Sequence, residues 1–170
     1  MNFSPRWIGS ALLVATVALA TGCSDNSTGT PEPPKNPEDV TFAPELGVDL
    51  SQMTRTASGL YYEVITSGEG VATVAGDTIA VDYKGWLNTG TLFGEGLFGF
   101  VLGDGAVIPG FDEGTTGMKP GEVRELVLPS SLGYGTSPPP GSGIPSQSVL
   151  VFDVELKGVG TEELIALGLL

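Results

Sequence analysis

Thr78-Ile79-Ala80-Val81-Asp82-Tyr83-Lys84-Gly85-Trp86-Leu87 is the stretch on which the fold turns. Ile79, Val81 and Tyr83 fall on one side of an extended chain and Ala80, Asp82 and Lys84 on the other, the alternation of a strand with one buried face. Similar runs recur in Tyr61-Tyr62-Glu63-Val64-Ile65, Leu97-Phe98-Gly99-Phe100-Val101-Leu102, Val123-Arg124-Glu125-Leu126-Val127-Leu128 and Val149-Leu150-Val151-Phe152-Asp153-Val154-Glu155-Leu156. In the last, Leu150, Phe152, Val154 and Leu156 take the core side because Asp153 and Glu155 require water. Asp82, Lys84 and Glu125 read as a solvated face. The expectation is an antiparallel sheet, apolar on one face and wet on the other.

Between these strands, Pro109 to Met118 opens with proline and carries acids in its first turn, as a short helix would. Its three glycines, Gly110, Gly114 and Gly117, make it a poor helix alone, so it must form by packing across the sheet. Residues 129–148, rich in Pro, Gly and Ser, read as one long loop of a length associated with function. Pro138-Pro139-Pro140 either stiffens that loop or enters a neighbouring pocket. Residues 41–59 mix apolar and polar positions without a period and form a lead-in segment. The tail, residues 161–170, suggests a short helix with an apolar end.

The chain has 170 residues, 26 of them glycine, and only 16% charged side chains, which suits one turn-rich β domain. A net charge of −13 excludes nucleic-acid binding through a basic footprint. The absence of histidine removes the commonest neutral-pH base and nitrogen metal ligand, so neither metal nor cofactor is expected.

Residues 1–22 carry Arg6, an apolar run from Trp7 to Ala20, and small residues before Cys23. The run is shorter than the ~20 residues of a comfortable membrane span and reads as a signal peptide. Cys23 is the only cysteine and ends a motif that resembles a bacterial lipobox, which implies acylation there; ordinary secretion with a chance cysteine is the alternative. The expected location is therefore the cell envelope, lipid-anchored on the periplasmic side of the inner or outer membrane. Residues 23–40 hold Pro31, Pro33, Pro34 and Pro37 and read as a tether or a docking ligand. As a spacer at about 3.1 Å per residue, it would hold a domain roughly 50 Å from a bilayer.

Over residues 60–160 the chain resembles the FKBP-type peptidyl-prolyl cis/trans isomerases. The resemblance is carried by Val81-Asp82-Tyr83 with Gly85-Trp86-Leu87, Gly90-Thr91-Leu92-Phe93, Phe98-Gly99-Phe100-Val101-Leu102-Gly103, Val107-Ile108-Pro109-Gly110-Phe111, Met118-Lys119-Pro120-Gly121-Glu122, Leu132-Gly133-Tyr134-Gly135, Ile144-Pro145 and Leu150 to Leu156. It implies an α+β fold, a curved antiparallel β-sheet wrapped around one short helix, with an apolar pocket for a proline ring. Carried over by position, Tyr83, Phe93, Ile108, Tyr134 and Phe152 are the catalytic group, and Phe98, Val107, Phe111 and Ile144 complete the substrate site. The Ile108 N–H and Tyr134 hydroxyl are expected to bond peptide carbonyls.

The implied partners are proline-containing folding polypeptides outside the cytoplasm and, by the same resemblance, macrolide immunosuppressants. The alternatives are a non-catalytic proline-binding module or chaperone of the same fold, and an unrelated envelope lipoprotein. The family usually places aspartate directly after the residue matched by Phe93, near the tyrosine matched by Tyr83. Here that residue is Gly94, Glu95 follows, and the connection from Phe93 to Phe98 is short. Phe100, Leu126 and Leu156 read as plain core.

Overall fold

The computed structural model describes residue 33 and residues 35–169, and Cys23 and the signal segment lie outside them. Six antiparallel strands form one sheet in the order β1-β2-β5-β6-β3-β4: β1 (Thr54–Arg55), β2 (Tyr61–Thr66), β3 (Thr78–Leu87), β4 (Leu92–Val101), β5 (Val123–Leu128) and β6 (Leu150–Val159). Helix α1 (Pro109–Thr115) lies across the concave face, and α2 (Thr161–Ala166) follows β6. The β3 alternation holds: Ile79 and Val81 are fully buried with Val154, Leu156, Leu126 and Leu128 in the core under α1.

The glycines that weaken α1 as an isolated helix are what allow it to form here. A Cβ at Gly110 would stand 2.6 Å from Leu128 Cγ, and one at Gly114 would stand 2.5 Å from Leu126 Cδ1. Their absence lets the helix backbone settle directly onto β5, and the buried contact offsets the low propensity. The carboxyl end of α1 is held by Arg124, whose Nη1 donates to the carbonyls of Gly114 (2.9 Å) and Thr116 (3.1 Å). Glu122 fixes that guanidinium with a 2.5 Å ion pair, and both side chains are mostly buried.

Four expectations are corrected. First, the outer face of the sheet is wet only in part: Asp82, Lys84 and Asp153 are exposed as expected, but the region around Tyr61, Val127 and Val151 is covered. The lead-in folds back over it, and Met53 joins Tyr61, Val127, Val149 and Val151 in a second core, flanked by Val40, Phe42 and Leu46. The lead-in also supplies β1, too short to leave an alternation in sequence. Second, fixed structure starts before residue 41: the Lys35 N–H donates to Ser130 Oγ (2.9 Å), the Ser130 N–H donates to the Lys35 carbonyl (3.0 Å), and Pro37 is buried. Tyr61 adds a 2.6 Å hydrogen bond to Glu38. The segment from Lys35 onward is a strap, and only what precedes it can be tether.

Third, Glu125 and Ala80 are buried rather than solvated. Cross-strand pairing places Glu125 between Glu63 and Asp153, and burial with those two like charges pushes its carboxyl up to about 7. Ala80 pairs with Gly99 and Gly158, and that row of small residues receives α2, burying Leu164. This is the contact of the apolar tail. Fourth, residues 93–98 are not a connection: β4 runs unbroken from Leu92, opposite β3.

Candidate functional site

The concave face, α1 and the loops that follow β4 and β5 enclose a cavity of about 360 Å³. Its lining includes all nine residues assigned from sequence: Tyr83, Phe93, Phe98, Val107, Ile108, Phe111, Tyr134, Ile144 and Phe152. Gly94, Ala106 and Ser142 complete it. No lining residue is Asp, Glu, Lys or Arg, so the cavity wall carries no charge. Its size is that of a small-ligand site, in the range of about 300–1,000 Å³.

Each wall is placed by local structure. Phe111 comes from the first turn of α1 and meets Phe152 edge-on at 5.2 Å and Tyr83 at 5.9 Å. Phe93 stands perpendicular to Phe152 at 5.5 Å. It reaches the concave face because it is the extra residue of a bulge: Gly85 pairs with Gly94 and Trp86 pairs with Leu92, leaving Phe93 without a partner. Gly85 makes that ring pair attainable, since a Cβ there would lie 2.7 Å from Phe93 and 2.8 Å from Phe152. Phe98 is the exposed rim, 42% accessible and stacked on core residue Phe100 at 5.7 Å.

Val107 and Ile108 are presented by a loop that Asp112 ties down, its carboxylate accepting from the Gly103 N–H at 2.9 and 3.1 Å. The Ile108 N–H donates to no protein acceptor among the described residues. Tyr134 follows a 3-10 turn at Ser130–Leu132. Gly135 N–H to Ser130 O (3.0 Å) and Gln147 N–H to Gly135 O (2.7 Å) hold its loop. Burial pushes the Tyr134 hydroxyl above its usual range, and the neighbouring Tyr83 adds to the shift, so the phenol stays a neutral donor. Tyr83, too, has no hydrogen-bond partner among the described residues.

The register decides what Glu95 does. Glu95 pairs with Lys84, on the outer face of the sheet, whereas Gly94 pairs with Gly85 on the pocket side. Glu95 therefore cannot bring a carboxylate to Tyr83. Pro138, Pro139 and Pro140 do not line the cavity. Sequence reading missed Gly85, Ser142 and the Arg124 to Glu122 support of α1. Arg124 left a signal: it shares the inward parity of Leu126 and Leu128, where a charge needs partners. Among the described residues, no group of three or more acidic, Cys or His side chains is arranged to hold a metal ion.

Comparison with known proteins agrees with this geometry. A family model described as FKBP-type peptidyl-prolyl cis-trans isomerase matches residues 70–157. An FK506-binding protein from Neisseria meningitidis is 44% identical over 105 residues, covering 58% of this chain and 94% of the relative. The FKBP-type peptidyl-prolyl cis-trans isomerase FkpA of Escherichia coli K12 is 45% identical over 124 residues, 69% of this chain but only 42% of FkpA. Among solved structures, FkpA from Escherichia coli superposes with a TM-score of 0.58 at 41% identity, covering 64% of this chain and 51% of that one. AtFKBP13 superposes at 0.59 with 32% identity, covering 64% and 98%.

Proposed function

The chain belongs to the FKBP-type peptidyl-prolyl cis-trans isomerases, and from that premise we propose that its uncharged aromatic cavity is where an Xaa-Pro bond is turned, outside the cytoplasm and beside a membrane. The activity requires no nucleophile, because rotation breaks no bond; it requires loss of C–N double-bond character against a barrier of about 18–20 kcal/mol. In this reading the proline ring sits on Phe111 and Phe152 beside Tyr83, and the apolar wall disfavours the charge-separated planar amide. The unengaged Ile108 N–H and the neutral Tyr134 hydroxyl receive peptide carbonyls and hold the twisted form. A rate gain of a thousandfold needs only about 4 kcal/mol of such preference.

The observation that carries the assignment of residues is the cavity itself: six aromatic rings, no charge, and donors left unbonded among the described residues. Exchange NMR on an Ala-Pro peptide tests it. Accelerated exchange with the intact protein and near-background exchange with Phe152→Ala, shown folded by its amide spectrum, supports the site; equal rates refute it. A second reading, a proline-binding module or chaperone of weak turnover, is favoured by Gly94, which leaves Tyr83 without a carboxylate; peptide binding without acceleration would select it.

Export and lipid attachment at Cys23 rest on the residues around it. Eleven residues separate Cys23 from the strap at Lys35, so the reach from the bilayer is at most about 40 Å, shorter than the spacer length alone suggests. Mass spectrometry of the mature amino terminus decides this, and an unmodified Cys23 rejects it. Proline-containing folding polypeptides in the envelope are the proposed substrates. Macrolide immunosuppressants are proposed for the same cavity, since the Neisseria relative is named an FK506-binding protein; competition between macrolide and peptide is the test.

A further inference from the structure

Between Phe93 and Phe98, the β4 side of the cavity is bare of side chains at Gly94 and Gly96. Gly94 and Gly96 stand opposite Gly85 and Tyr83 on the pocket face, and Gly94 lines the cavity. A Cβ at Gly94 would sit 3.5 Å from the Tyr83 hydroxyl and 3.8 Å from its ring, with nothing nearer. Between the two lies a gap with room for one methyl-sized group, the tip of a side chain, in a part of the cavity also lined by Phe93 and Phe98. The Tyr83 hydroxyl at its base makes no hydrogen bond among the described residues and is not sealed from the cavity.

We propose that this gap is a specificity subsite, with Tyr83 as its donor, for the side chain of a residue flanking the proline, and that it selects a neutral hydrogen-bond acceptor, the amide of glutamine or asparagine. The proposal rests on the isomerase reading above. A phenol donates to an amide oxygen, and aromatic borders accept the methylenes that carry it. The acceptor is neutral because the chain carries a net charge of −13, which opposes the approach of a carboxylate. A carboxylate at position 94 would occupy the hydroxyl and close the gap; glycine leaves both open.

Glutamine and methionine have side chains of similar length and differ in the acceptor, so the Gln/Met ratio of kcat/KM reads the subsite directly. It is measured on tetrapeptide pairs with the variable residue placed before or after proline, for the unaltered protein, Tyr83→Phe and Gly94→Ala. One hydrogen bond predicts a ratio of roughly threefold to tenfold at one of the two positions. The ratio is expected to fall to about one in Tyr83→Phe, which removes the donor, and in Gly94→Ala, whose methyl fills the gap at an ordinary contact distance. Ratios near one for the unaltered protein at both positions, or a preference that survives both substitutions, overturn the subsite while leaving the isomerase standing. No acceleration of any peptide overturns both.

Discussion

Glu125→Gln isolates one consequence of the sheet's outer face. Glu125 is 8% exposed, accepts no hydrogen bond among the described residues, and faces Glu63 and Asp153 across the neighbouring strands. Its carboxyl rises from 4.5 to about 7 because burial and the two acids disfavour the charged form. A raised carboxyl pKa means that the folded state holds the proton more tightly than the unfolded chain. The stability it contributes is whole below the unfolded value of 4.5 and is lost as pH climbs toward 7.

Taken at face value the shift corresponds to about 3.4 kcal/mol, and reduction for water reaching the carboxylate leaves roughly 1–2 kcal/mol. Glutamine keeps the shape and cannot ionise. Thermal unfolding followed by circular dichroism at pH 5, 6, 7 and 8 should therefore show Glu125→Gln more stable than the unaltered protein at pH 8 by about 3–8 °C. The two curves should converge near pH 5. Asp153, also raised by burial, keeps a residual slope in both. Parallel curves across the range, or a variant less stable at pH 8, would refute the argument.

Three further outcomes follow from the same contacts. Gly85→Ala drives a methyl against the Phe93 and Phe152 rings, and should reduce kcat/KM at least tenfold while urea unfolding shows a folded protein of lower stability. Arg124→Met removes the two bonds to the end of α1 and leaves Glu122 buried without its cation, held by the Lys119 N–H, which should cost about 3 kcal/mol by urea titration; adding Glu122→Gln should recover part of it. Tyr61→Phe deletes the 2.6 Å bond to Glu38 and should cost about 1 kcal/mol while leaving peptide isomerisation within twofold.

The concave face was legible because strand parity is a rule of geometry: once Ile79, Val81 and Tyr83 are inward, their partners on β6 follow. The pocket aromatics were legible through the family pattern, and all of them meet at one cavity. The outer face was not, because parity says which way Glu125 points but not what lies over it. Its covering comes from a lead-in with no period, whose apolar residues acquire meaning only once Val127 and Val151 are beneath them. The side to which Glu95 points was illegible for a related reason. A bulge at Phe93 puts two consecutive residues on the pocket face and sends Glu95 to the other side, and a bulge has no signature in residue type.

The strap also determines how the molecule would bear force. A pull on the amino-terminal segment enters the described fold at Lys35 and is carried first by its paired bonds with Ser130, 2.9 and 3.0 Å long, then by buried Pro37 and the Tyr61 to Glu38 bond. The Tyr61 to Glu38 bond lies on the outer face, whereas Ser130 also accepts from the Gly135 N–H that holds the Tyr134 loop; together they form a small set of contacts that can open before the long ladders joining β3, β6 and β5 are loaded. Under tension the strap would peel as a mechanical fuse, lengthening the connection while the paired strands that carry Tyr83, Phe93 and Phe152 stay joined, and Tyr134 would be the cavity wall closest to the load.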